Sequence, residues 1–112
     1  MTVAEVAEKL NFEILAGEDA LTREITGVFC CDLLSFVMGR APSDSAWVTV
    51  MGNVNAIAVA SLADTACIIL AENAEMEEAA IARAAQQDIA VLRTALPIYD
   101  AAKAVDKTAL DA

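Results

Sequence analysis

From residue 47 onward the chain alternates short apolar runs with longer segments of helical pattern: "AWVTVM", "VNAIAVASLA", "ACIILA", "EMEEAAIARAAQQ", "IAVLR" and "PIYDAAKAV". The short runs are apolar at consecutive positions, as strands covered on both faces must be. Strands separated by helix-length connections pair in parallel through right-handed crossovers. The expected class is therefore α/β: a single domain over residues 1–112 with a mostly parallel sheet, flanking helices, and the N-terminal helix and strands attached at its side.

That N-terminal part is read from shorter signals. Thr2 and Glu5 form a capping box, and Val3, Val6, Ala7 and Leu10 share one face, so a helix is expected from about Thr2 to Leu10. "FEILAG" alternates and ends at Gly17, as a short strand entering a turn does. "REITGVFCC" has strand composition. Asp32 then offers an N-cap to "LLSFVMG", whose helix should stop at Gly39. Pro97 reads as the first residue of the last helix, and the polar tail after about Lys103 should fray.

Apolar residues are 58% of the chain and aromatics 4%, so Ala, Val, Ile and Leu must build the core. The formal charge of −10 sets the surface against phosphate backbones, excluding nucleic acid and anionic membrane as partners. The opening "MTVAE" has no basic segment followed by an apolar signal core, and Val54 to Ala63 is too short to span a bilayer. A cytoplasmic protein is expected, with Cys30, Cys31 and Cys67 as reduced, buried thiols.

Catalytic constellations are hard to assemble from these residues. Histidine is absent, which removes the common general base, the usual zinc ligand and the standard hydrolase triads. Four scattered glycines make neither a phosphate-binding loop nor a dinucleotide fingerprint. The cysteines lack metal-pair spacing, and Glu72, Glu75, Glu77 and Glu78 read as acids favouring a helix N-terminus. Two places retain recognition chemistry. Asn53 and Asn55 follow a buried strand, where their amides can cap the next helix or meet a small molecule. Arg23 carries a planar fork suited to a carboxylate or phosphate, and Thr26 and Gly27 allow a bulge or a close approach; a structural ion pair explains the same residues.

The segment "LTREITGVFCCDLLSFVMGRAP" resembles the DRTGG domain, named for an Asp-Arg-Thr-Gly-Gly-like motif followed by a strand, an aspartate and a short helix. The motif is degenerate here: Thr22 to Val28 keep Arg23 and the pair Thr26-Gly27, while Thr22 and Val28 replace the initial acid and second glycine. "TVAEVAEKLNFEILAGE", "SDSAWVTVMGNVNAIAVASLADTACIILAEN" and "DIAVLRTALPIYDAAKAV" resemble the family's opening, centre and close. The resemblance implies an α/β domain without catalysis of its own, of the kind found beside CBS domains in inorganic pyrophosphatases and on phosphotransacetylases. It is also similar to the N-terminal domain of the HPr kinase/phosphorylase, whose kinase activity resides in a separate domain bearing the phosphate-binding loop. Symmetric dimers, and help in transmitting adenine-nucleotide occupancy from CBS modules, are implied as well.

The expected function is a stand-alone, non-catalytic regulatory or protein-interaction module forming a homodimer, with a separate protein as a further partner. The alternative is a sensor in which Arg23, Asn53 and Asn55 surround a nucleotide or another anionic metabolite; an enzyme comes last. No cofactor or metal is expected. Arg23, Thr26, Gly27, Asp32, Asn53 and Asn55 are the candidate ligand or motif residues.

Overall fold

The computed structural model describes residues 1–110. Helix α1 (Val3–Leu10) and strand β1 (Glu13–Ala16) open the chain, and a 3-10 turn at Glu18–Ala20 follows. Then come β2 (Gly27–Cys30), α2 (Leu34–Arg40), β3 (Ser45–Thr49), α3 (Val54–Ala63), β4 (Cys67–Leu70), α4 (Glu78–Gln86), β5 (Ala90–Arg93) and α5 (Ile98–Ala109). Strands β2 to β5 pair in parallel, each with the next, and β1 joins β5 antiparallel, giving the spatial order β1-β5-β4-β3-β2. The α/β expectation holds, down to the parallel alternation from residue 47.

Because side chains alternate across a strand, β3, β4 and β5 each feed two cores. Val48, Ile69 and Leu92 face α1 and α5, where Val3, Val6 and Val105 meet them. Trp47, Ile68 and Val91 belong to the other core, with Val37, Ile57 and Ala80 from α2, α3 and α4. Three crossovers thus share one face of the sheet, and the first and last helices cover the other. Small side chains make this close packing feasible: Ala56, Ala60, Ala80 and Ala84 are all buried. Among the described residues no helix is long and apolar enough to cross a membrane.

Local chemistry explains most element ends. Thr2 and Glu5 complete their capping box through reciprocal bonds of 3.2 and 2.9 Å, and α1 ends at Asn11 in the left-handed conformation. Gly52, in the turn before α3, lets the backbone ahead of α4 approach closely: a Cβ there would lie 2.1 Å from the Glu75 carbonyl oxygen.

Several expectations need correcting. Asp32 does not cap α2; Leu33 holds that position without a side-chain bond. The helix runs one residue past Gly39, to Arg40. Pro97 occupies the N-cap of α5 instead of its first turn. The strand expected over "REITGVFCC" is confined to Gly27–Cys30, and Gly27 pairs with Ser45 in regular register without a bulge. Of the acids read as α4's first turn, only Glu78 is there, whereas Glu72 sits in a left-handed turn with Asn73. The tail past Lys103 stays helical to Ala109, because Val105 and Ala109 are buried in line with Ala101; residues 111–112 lie outside the described residues. Cys30 is exposed and Cys31 partly so, and only Cys67 is a buried thiol. β2 is an edge strand, and among the described residues no strand pairs with its outer side.

Candidate functional site

At the end of the sheet where the parallel strands begin, Arg23 ties three segments together. Its Nε donates to Asp44 Oδ1 at 2.9 Å, and its Nη2 donates to the Asp64 carbonyl at 2.6 Å. Nη2 also pairs with the carboxylates of Asp44 and Asp64, at 2.8 and 2.9 Å. Asp44 immediately precedes β3, and Asp64 closes α3 shortly before β4. Both adopt left-handed backbone, φ 64° and 59°, which Asp tolerates better than most residues. The Asp44 amide donates to the Asp64 carbonyl, and the Thr26 amide donates to the Asp44 carbonyl, each at 2.9 Å. Arg23 and Thr26 therefore fasten the motif segment to the starts of two central strands.

Hydrogen bonds from Arg23 and then Ser43, with the nearby guanidinium charge, hold the Asp64 carboxyl below the usual aspartate range. A group whose folded pKa is depressed stabilises the fold above its unfolded pKa and loses that contribution as pH falls. Arg23→Lys cannot reproduce the fork and is expected to cost about 1 kcal/mol at neutral pH. The gap between variant and wild type should narrow below about pH 4, where Asp64 is protonated in the unfolded chain. Urea midpoints measured at neutral and acid pH check this; a gap that widens in acid would contradict it.

The opposite end of the sheet holds the other candidates. Asp32 accepts from Thr49 Oγ1 at 2.6 Å and from the Val50 amide at 3.0 Å, so it locks the end of β3 to the chain leaving β2. Thr49 Oγ1 in turn accepts from the Met51 amide at 3.2 Å. Asn53 Oδ1 accepts from the Ala56 amide at 2.9 Å, the N-cap bond of α3. Asn55 is exposed in the first turn of that helix. Trp47 Nε1 donates to the Cys31 carbonyl at 2.8 Å. Among the described residues no group of acids or cysteines is arranged to hold a metal ion.

The structure thus splits the six candidates. Arg23, Thr26 and Gly27 lie where the parallel strands start; Asp32, Asn53 and Asn55 lie where they finish. It does not bring Arg23 and the asparagines around one space. The cysteines are also apart in environment: burial pushes the Cys67 thiol up to about 12, and Cys30 is raised by partial desolvation, then by Asp32 and Cys31. Sequence reasoning passes over the outward side of α5, where Tyr99, Ala102, Lys103 and Asp106 line a shallow groove with Val28 and Cys30 of β2. Their recurrence every three or four positions is the available signal.

With this geometry in place, the chain can be set beside known proteins. The family model of the DRTGG domain matches residues 5–108. Among solved structures, the chain is similar to the CBS and DRTGG domains of the regulatory region of a Clostridium perfringens pyrophosphatase, determined in complex with an activator, diadenosine tetraphosphate. The TM-score is 0.73 at 11% identity, over 93% of this chain and 45% of that one. The chain spans less than half the length of that neighbour, and at this identity the likeness shows the fold. No curated protein sequence matches the chain.

Proposed function

Because the chain belongs to the DRTGG domain family, we propose that it is a non-catalytic regulatory module acting as a homodimer. The observation that carries this reading is where its motif side chains are spent. Arg23 grips Asp44 and Asp64, and Asp32 grips Thr49 and Val50, so the segment that defines the family fastens strands together. A sheet tied at both ends behaves as a rigid body. A rigid unit regulates by changing its position relative to a partner, which here would be a second copy or a separate protein.

Light scattering at micromolar concentration is expected to return twice the mass of one chain. Assays with pyrophosphate and nucleoside triphosphates are expected to show no turnover. A single-chain mass would remove the dimer, and turnover abolished by one substitution in this chain would remove the non-catalytic reading.

A second reading is nucleotide sensing, and the likeness to a regulatory region complexed with diadenosine tetraphosphate is what supports it. Against it stands the formal charge of −10, with Arg23 already paired to two carboxylates. A ligand at about 100 times its dissociation constant adds roughly 2.7 kcal/mol, several degrees in the melting midpoint of a domain this small. The dimer-module reading predicts no such shift with diadenosine tetraphosphate; a clear one would put the sensor first.

A further inference from the structure

We infer that the outward stripe of α5, together with the β2 edge beside it, is the surface on which two copies of this chain meet. The inference rests on the homodimer reading and names its contact. Three observations converge on this place. β2 ends the sheet, so among the described residues its outer backbone groups have no strand partner, an arrangement that invites pairing. Tyr99, which projects from α5 next to it, is 72% exposed, an unusual position for a large aromatic ring in a chain with so few. Between them runs the groove formed by Val28, Cys30, Ala102, Lys103 and Asp106.

Charge selects a second copy as the occupant. Two chains of formal charge −10 repel one another, so they can approach only where the charge is locally balanced. The α5 stripe offers that balance. Tyr99, Lys103, Asp106 and Leu110 recur at three- and four-residue spacing, which places them on one helical face. All four are exposed. The order is self-complementary: an antiparallel, two-fold pairing that sets Lys103 of one copy against Asp106 of the other also sets Tyr99 against Leu110. Both pairs are centred between Ala104 and Val105, as a two-fold contact requires, since residue i meets j and j meets i. Opposite charges then meet twice, and an aromatic ring covers a leucine twice.

The two charges give the test. Lys103→Asp places two acids against each other, and Asp106→Lys two bases, each occurring twice per dimer. Either change alone is expected to weaken the dimer by roughly tenfold or more, read by light scattering or sedimentation across a dilution series. The double variant Lys103→Asp with Asp106→Lys should recover the wild-type mass. All these side chains are exposed, so circular dichroism should report an unchanged fold in every variant. A dimer indifferent to both single reversals overturns this surface while leaving the homodimer standing, and turns attention to Leu33, Phe36 and Met38 at α2. Single reversals that dissociate the dimer without rescue by the double variant overturn the proposed register. A wild-type protein that is monomeric overturns the homodimer itself and this contact with it.

Discussion

Trp47→Ala is expected to lose about 4 kcal/mol of stability, a large part of what a domain of this size possesses. Trp47 is fully buried on β3 and is the one tryptophan in the chain, set in a core otherwise made mostly of small and branched aliphatic side chains. Its removal opens a cavity that the surrounding alanines cannot fill, because a methyl group has no rotamer with which to reach inward. The hydrogen bond from Nε1 to the Cys31 carbonyl is lost too, leaving that acceptor without its partner. Trp47→Phe separates the two effects and should cost roughly 2 kcal/mol, since most of the bulk remains. Urea titration followed by circular dichroism checks both values, and a Trp47→Ala midpoint close to wild type would refute the packing described here.

Gly17→Ala should also be severe, on the order of 3 kcal/mol. Gly17 follows β1 with φ at 78°, and a Cβ built there lies 2.1 Å from the Ile89 carbonyl oxygen and 2.5 Å from the Ala90 Cα. Both obstacles are backbone at the entry to β5, so no side chain can swing aside. Gly39 provides the contrast. It lies inside α2, where an added methyl group would meet nothing within 4 Å, and Gly39→Ala is expected to raise stability by about 0.5 to 1 kcal/mol. Thermal midpoints that move in opposite directions for the two substitutions are the expected result; a parallel decrease would contradict the reading of Gly39.

The contrast between legible and illegible features follows the range of the interaction concerned. Buried parallel strands announce themselves because both faces must be apolar, and "AWVTV", "CIIL" and "AVLR" are so over nearly every residue. The caps at Thr2 and Asn53 are equally plain, since each bonds an amide three residues away. Asp32 obeys a different logic. Its spacing suits a helix cap, but Thr49 and Val50, brought alongside by parallel pairing of β2 and β3, claim its carboxylate. Arg23 likewise finds acids that lie 21 and 41 residues along the chain. The apolar character of its strand argues for Cys30 inside, yet exposure depends on strand order, and β2 falls at the sheet's edge. The persistence of α5 beyond Lys103 is readable in principle, since Ala101, Val105 and Ala109 recur every four residues, as a buried helical stripe does.

The path of α5 bears on how the protein is made. It packs against β2 and β3, at the opposite side of the sheet from β5, the strand it leaves. β2 precedes α5 by most of the chain, so translation delivers this strand well before the helix that packs over it. A ribosome-bound chain halted before Ile98 would have α1 on that face but would leave Val28 and Val48 without the helix that packs over β2 and β3. Completion of α5, in the order in which translation delivers it, is the step that closes that face over β2 and β3.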